Sequence, residues 1–556
     1  MSLRAQEWMP NPDPAVAMVG ARRLTLGEML RASARKTPDR VGFVVGEVSR
    51  TMAELDSRTD RVARALEKRG VRPGDRVAIL MTNHMEMIEA LFGITRLGAI
   101  AVPLNFRLVA SEVAFLLEDS GAKVMIVDIE TAPLVREASE RIPSLISCLV
   151  VGDGVPDAGP GAESYEEALA EVSGEPINVD VPEDAPAFIM YTSGTTGLPK
   201  GAVITHMNFV VSGMSVAVSL HVEGASEVWL SGLPLFHIGG IDQIVPYVFL
   251  SGGKSVVLAS GHFAPRDALE TLEKEGVTGC FFVPSQWQAI CDLPGMDNRS
   301  LSLKRIAFGA APTLAPLIDR LATRFPGIDY LNAFGQTETC GTTTLYMEKD
   351  AYFKMGSVGK PVPNVEVRIV DDSMKDVSIG EVGEVVYRGP VVFAGYWKRP
   401  KETAEAFAGG WFHSGDLAYV DADGYYFVVD RKKDIIISGG ENIYSAEVES
   451  VLQGHPQVRE VAVIGIPHPE WGETPHAVIV PTQPDDPPSL ESIISWCRER
   501  LAGYKKPTSI HLSAKLPRNA SGKVLKHELK ADMQRVAAGE GYVVRAGAQM
   551  PGELAS

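Results

Sequence analysis

Short apolar runs alternate with longer stretches of helical periodicity along most of the chain. Val77 to Leu80 suits a buried strand, Met85 to Leu97 a helix and Ile100 to Pro103 a second strand, a pattern that predicts an α/β fold. Ala185 to Tyr191 is again short and apolar. Together with the β-branched run Ala202 to Ile204 it brackets a polar segment as strand, loop, strand. Between 151 and 185 the chain is rich in Gly, Pro, Asp and Glu, which predicts an exposed connection. Farther on, a strand over Tyr425 to Val429 ends in the cluster Asp430-Arg431-Lys432-Lys433-Asp434, before Ile435 to Ile437 and the pair Gly439-Gly440. Such a cluster suits a hinge between domains. Beyond it a helix over Ser445 to Leu452, a strand over Val461 to Ile466, a helix over Leu490 to Leu501 and a strand near Ile510 form a small α+β unit. The expected organisation is a large α/β domain of several subdomains over 1–430, a hinge at 431–434, a small mobile α+β domain over 435–536 and a loose tail over 537–556.

Composition narrows the class. With 556 residues and 45% hydrophobic content the chain exceeds what a single core holds. A formal charge of −17 argues against a nucleic-acid partner, although a locally positive cleft can still hold a small anionic ligand. The five cysteines (Cys148, Cys280, Cys291, Cys340, Cys497) have no close paired spacing and mostly sit in apolar sequence. That usage suits buried thiols in a reducing cytoplasm and no zinc site. No signal peptide is expected at the N-terminus, which lacks a basic segment followed by an apolar core. Val203 to Val222 is free of Asp, Glu, Lys and Arg, yet it carries Thr205, His206, Asn208 and three serines. It predicts a capped helix and no integral membrane span.

The polar segment is the chemical centre of the sequence: Tyr191-Thr192-Ser193-Gly194-Thr195-Thr196-Gly197-Leu198-Pro199-Lys200-Gly201. Gly194 and Gly197 let successive N–H groups converge on one point, a cradle for anions. Thr192, Ser193, Thr195 and Thr196 add hydroxyl donors, and Lys200 adds charge. A Walker loop would place Lys directly after the second Gly and continue into a helix; here Lys200 follows Gly197 by three positions and a strand comes next. Gly253-Lys254-Ser255, with Val248 where the first Gly should be, and Ser521-Gly522-Lys523, followed by Val524, fail the same test. On composition alone, a solvated turn is the competing reading of the segment.

Further motifs follow in order: Pro234-Leu235-Phe236-His237-Ile238-Gly239-Gly240, Phe308-Gly309-Ala310-Ala311-Pro312, Asn332-Ala333-Phe334-Gly335-Gln336-Thr337-Glu338, His413-Ser414-Gly415-Asp416, Asp430-Arg431, Ser438-Gly439-Gly440-Glu441-Asn442 and Pro517-Arg518-Asn519-Ala520-Ser521-Gly522-Lys523. Taken with the loop, they resemble the adenylate-forming superfamily, and within it the fatty-acyl-CoA ligases of bacterial type. The resemblance spans roughly residues 20 to 530. It implies ATP-dependent activation of a carboxylic acid as acyl-AMP with loss of pyrophosphate, then transfer to coenzyme A, a ligase reaction that forms a carbon–sulfur bond.

The resemblance also implies roles. The loop and Lys200 would hold the β- and γ-phosphates, and Glu338 beside Thr337, with Thr196, would hold Mg²⁺. Adenine would stack on Phe334, where many relatives have Tyr, with Gly309, Ala310, Ala311, Pro312 and Gly335 around it and Asn332 pairing its amine. Asp416 and Arg431 would take the ribose, although Asp416 alone reads as a turn residue. His237, in isolation more often a core histidine, would orient the acyl carboxylate; Lys523 would be the adenylation lysine. Lys433 matches the hinge position, with a solvated lysine as the bland alternative. Rotation there would exchange the Lys523 face for a coenzyme A face built from Gly439, Gly440, Trp471, Tyr504 and Lys506, of which Tyr504 reads equally as packing.

Ile238, Gly239, Gly240, Ala333, Cys340 and Gly341 match the acyl pocket. Being small or apolar, they lead to the expectation of a long channel and a medium-to-long fatty acid. The alternatives are an aryl or hydroxycinnamoyl-type acid, an adenylation protein loading a separate carrier, and a ligase-like binding protein. The small-molecule acid, ATP and coenzyme A are the expected partners of a cytoplasmic monomer or homodimer, with peripheral membrane contact left open.

Overall fold

The structure, a computed structural model, describes residues 23–140, 142, 145–192, 199–222, 224–260, 263–294, 299–309, 313, 315–349, 352–518, 524–537 and 544–545. Among them the chain builds four sheets. One has eight strands, ordered Gly395–Tyr396, Lys200–Thr205, Pro186–Thr192, Ile100–Pro103, Arg76–Leu80, Val124–Asp128, Ser147–Val151 and Ala162–Ser164. From Pro186–Thr192 to Ala162–Ser164 all neighbours are parallel, while Lys200–Thr205 returns antiparallel along Pro186–Thr192. Ile100–Pro103 and Val124–Asp128 are buried at every position, as expected where helices cover both faces. The α/β expectation therefore holds.

A nine-stranded sheet lies beside it, with parallel strands Val41–Val45, Lys254–Val257, Val228–Ser231, Gly279–Phe281, Arg305–Gly309 and Asp329–Gln336 and antiparallel strands at its flanks. Asn83, just past Arg76–Leu80, ties the two sheets together where parallel strands end. Its amide donates to Leu233 O (3.2 Å) and Leu258 O (2.9 Å), and its Oδ1 accepts from Leu235 N (2.8 Å). The carboxyl ends of both parallel sets thus face one crevice, the usual ligand position in such sheets.

The charge-free run forms the helix His206–Ser219. Thr205 Oγ1 accepts from Asn208 N (3.1 Å) while Asn208 Oδ1 accepts from Thr205 N (2.9 Å), a reciprocal cap. The Asn208 amide then reaches Pro390 O (2.7 Å) and Val392 O (3.0 Å), fastening the segment that leads to Tyr396. No helix among the described residues is long and apolar enough to cross a membrane. All five cysteines are free and buried.

His206 is fully buried and its Nδ1 accepts from Leu26 N at 3.3 Å. Desolvation lowers its pKa from 6.5 to about 4. The folded chain then binds fewer protons than the unfolded chain between those values, so this contribution to stability is complete above pH 6.5 and is lost as pH falls through 4. His206→Asn should flatten the decline of melting temperature with pH across that window.

Three expectations need correction. The 151–185 connection contains the strand Ala162–Ser164 and the helix Tyr165–Ala170; its acids pair with one neighbouring helix, as Glu163 with Arg69, Glu166 with Arg58 and Glu171 with Lys68, while Tyr165 is fully buried. Pairing of its charges lets a polar stretch pack. Arg431, expected in the hinge, is the last residue of the strand Tyr426–Arg431, because its side chain and backbone both pair with Asp416; the turn is at 432–434. The tail expected to be loose contributes Val544–Arg545, which pairs with Ser509–Leu512.

Between the nine-stranded sheet and that turn lies an antiparallel sheet of Glu366–Val370, Gly383–Arg388, Phe412–Val420 and Tyr426–Arg431. The smaller C-terminal domain has a six-stranded sheet built on the hairpin Val458–His468 with Gly472–Pro481. Its helices are Ser445–Gln453, Leu490–Arg498 and Lys526–Ala537.

Candidate active site

Ser193, Gly194, Thr195, Thr196 and Gly197 of the loop lie outside the described residues, as do Ala310, Ala311, Pro312 and Lys523. The base of the loop is a hairpin between Pro186–Thr192 and Lys200–Thr205. Thr192 and Lys200 face each other across the hairpin, and Thr192 Oγ1 donates to Lys200 O at 3.4 Å. Tyr191 OH donates to Asp119 Oδ2 (2.7 Å), and Arg399 pairs with the other carboxylate oxygen at 2.7 Å. Gly201 is required by packing, since a Cβ there would sit 2.6 Å from Ile189 Cγ2.

The Lys200 ammonium stands 5.4 Å from the centre of the Tyr396 ring, and Tyr396 OH donates to Glu338 Oε1 at 2.9 Å. Thr337 and Glu338 are buried in the turn Thr337–Thr339 that follows strand Asp329–Gln336. Burial raises the Glu338 carboxyl above the usual range, against the opposing hydrogen bonds from its backbone and Tyr396. A buried hard oxygen donor whose charge is poorly compensated is chemically suited to Mg²⁺. Tyr396 escaped the sequence reading because an isolated Gly-Tyr-Trp looks like core. Its strand, Gly395–Tyr396, pairs with Lys200–Thr205 and so brings the ring between Lys200 and Glu338. Tyr396→Phe should lower the adenylation rate about tenfold, the scale of one lost hydrogen bond to a charged group, while a Tyr396→Phe melting curve stays close to the parent's.

On the nucleotide side, Phe334 is half-buried and Asn332 donates its amide to Ser357 O at 2.9 Å, leaving its Oδ1 as the acceptor suited to an exocyclic amine. Gly309 pairs with Ala333 across adjacent strands; a Cβ on it would lie 2.5 Å from Ala333 O. Gly335 is exposed, and a Cβ there would strike Gly341 O. Both glycines therefore answer to close backbone approach. Asp416 is buried, with Arg431 Nε 2.6 Å from its Oδ1. Glu384, missed in sequence, steadies this corner: it accepts from Gly415 N (3.2 Å) and lies 3.2 Å from both His413 Nδ1 and Lys432 Nζ.

His237 caps the short helix Ile238–Ile241, and its Nδ1 accepts from Gly239 N at 3.3 Å. That bond leaves the proton on Nε2, and desolvation lowers the ring's pKa to about 4, so it is a neutral donor near neutral pH. The acyl residues divide. Ala333 packs with the apolar group Trp229, Leu233, Tyr247, Phe281, Ala307 and Leu331, in which Trp229 and Tyr247 stack at 4.2 Å. Cys340 is fully buried in the main core with Ile238. Two of the three glycines are crowded by their neighbours. A Cβ on Gly240 would lie 2.2 Å from Pro234 O, and one on Gly341, at φ +99°, would lie 2.5 Å from Asp242 Oδ2. Gly239 is less crowded: a Cβ there would lie 3.2 Å from Leu233 and 3.6 Å from His237.

In the small domain, Gly439 and Gly440 take positive φ (60° and 87°), and Gly439 N donates to Trp471 O at 2.8 Å. The Trp471 indole lies directly over Gly439, where a Cβ would come within 2.8 Å of its ring, yet it is 48% exposed and so presents a face. Tyr504 is exposed in the turn Gly503–Lys505; Lys505 beside it is committed to Glu447 at 2.7 Å, and Lys506 is half-buried. Lys433 is exposed in the 432–434 turn.

Similarity to known proteins identifies the family. Residues 30–397 match the family model described as AMP-binding enzyme, and 447–523 match the AMP-binding enzyme C-terminal domain. The chain is 41% identical to a feruloyl-CoA synthase of Amycolatopsis sp., covering 92% of this chain and 99% of the relative. It is 36% identical to the long-chain-fatty-acid–CoA ligase FadD13 of Mycobacterium tuberculosis, covering 91% and 98%. Among solved structures, O-succinylbenzoate coenzyme A synthetase (MenE) from Bacillus subtilis, in complex with ATP and magnesium ion, superposes with a TM-score of 0.79 at 33% identity, covering 90% of this chain and 99% of that one. The chain belongs to the AMP-binding enzyme family, the adenylate-forming superfamily. Within it, the protein is an AMP-forming acyl-CoA synthetase.

Proposed function

We propose that this ligase acts on an aromatic carboxylic acid of the benzoate or cinnamate type. The observation that carries this reading is the aromatic group Trp229, Tyr247 and Phe281 packed with Ala333, next to glycines whose open sides are filled by Pro234 O and Asp242. A flat ring suits a short pocket with aromatic walls better than a long alkyl chain does. The feruloyl-CoA synthase relative supports the same class. A fatty acid would need a longer channel beside Gly239 and Gly240, and a Cβ on Gly240 would already meet Pro234 O.

Within the site, Thr192, Lys200 and the loop hold the phosphates, Asn332 and Phe334 the adenine, and Asp416 with Arg431 the ribose. Thr337 and Glu338 stand at the metal position; Mg²⁺ bound there supplies charge neutralisation on the phosphates. His237 donates from Nε2 to the acid's carboxylate and so orients it, and Lys523 brings a positive charge to the same place. After rotation at Lys433, Gly439, Gly440, Trp471, Tyr504 and Lys506 receive coenzyme A. A substrate panel tests the acid: kcat/KM for benzoates and cinnamates should exceed that for saturated acids by about tenfold or more, the scale of pocket discrimination. The reverse order would return the enzyme to fatty acids.

A further inference from the structure

A buried polar relay joins the two domains at Asp430. Its Oδ1 accepts from Arg431 N (2.7 Å), and its Oδ2 accepts from Ser445 N (2.5 Å) and Ser445 Oγ (2.7 Å). Ser445 opens the helix Ser445–Gln453, and Tyr444 before it makes no side-chain cap. The last strand of the large domain therefore supplies the carboxylate that satisfies and neutralises the N-terminus of the small domain's first helix. Ser445 Oγ also accepts from Lys526 Nζ at 2.5 Å. Lys526 pairs with Glu449 at 2.7 Å, and that same carboxylate oxygen accepts from Val463 N at 2.7 Å.

Ser445 is fully buried, Asp430 is 8% exposed and the Lys526 side chain 16%. One ammonium thus serves two enclosed carboxylates. Desolvation alone would lower its pKa, but the charges of Glu449 and Asp430 outweigh it and hold the ammonium protonated. Removing it would leave like charges facing each other around a single serine hydroxyl, which is costly in a buried site. Asp430 directly precedes Arg431, whose guanidinium grips Asp416 at 2.6 Å. Any shift of Asp430 moves the backbone that carries that grip.

We propose that Lys526 is a positioning residue for nucleotide activation, holding the Arg431–Asp416 pair in place through Ser445 and Asp430. It touches no substrate. The inference rests on the proposed ribose role of Asp416 and Arg431. Lys526→Met should raise the KM for ATP in adenylate formation about tenfold, while thioester formation from supplied acyl-adenylate stays within about twofold of the parent. Lys526→Arg should recover most of the loss, because a second cation restores the charge balance. Ser445→Ala should shift KM for ATP in the same direction by a smaller factor, and it reads out the relay even if Lys526→Met does not fold. Unchanged KM for ATP in both variants, or equal loss in both half-reactions, would overturn the relay. Failure of the ribose reading is seen separately: Asp416→Asn would then leave KM for ATP unchanged.

Discussion

Lys523→Ala should slow acyl-adenylate formation by about two to three orders of magnitude, the usual cost of removing one preorganised charge from a transition state, and leave thioester formation from supplied acyl-adenylate within a few-fold. The asymmetry follows from the chemistry of the two steps. In the first, a carboxylate approaches an anionic α-phosphorus, and a lysine point charge offsets a repulsion that grows toward the transition state. In the second, a neutral thioester forms as AMP leaves, and in the proposed rotation the small domain offers its Gly439 and Trp471 face instead. Single-turnover measurement of each step separates the two. Equal loss in both would refute the exchange of faces.

Glu338→Gln is the second large effect. The amide keeps the shape and can still accept from Tyr396, so packing around the turn Thr337–Thr339 is preserved while the charge is gone. The Mg²⁺ concentration for half-maximal adenylation should rise about tenfold or more, and the rate at saturating Mg²⁺ should fall by about a hundredfold. Thioester formation from supplied acyl-adenylate carries no pyrophosphate and should be nearly unaffected. A Mg²⁺ dependence identical to the parent's would remove Glu338 from the metal position.

The sequence made the parallel strands and the helix His206–Ser219 legible, because apolar runs bounded by caps carry their own signal. Of the four-stranded antiparallel sheet only the strand Tyr426–Arg431 was anticipated, over Tyr425 to Val429, since irregular register, as between Leu417 and Ala418, blurs the period-two signal. Roles for Glu338 and Asp416 came only from their place in the ordered set of motifs, since each alone reads as a surface or turn residue. Tyr396, Asn83 and Glu384 were missed because each acts through a partner more than thirty residues away or across a sheet boundary. The glycines show the same limit. A glycine in sequence says only that a Cβ is absent, and what fills the gap is decided by the neighbouring chain, here Pro234 O beside Gly240 and Gly341 O beside Gly335.

Heavy-oxygen labelling of the substrate carboxylate tests the chemistry most directly. If the carboxylate attacks the α-phosphorus and the thiol then displaces AMP, one labelled oxygen must leave in the phosphate of AMP and one must remain in the acyl-CoA. Labelled AMP appearing in step with acyl-CoA is the predicted result. Label in inorganic phosphate accompanied by ADP, or unlabelled AMP, would contradict it.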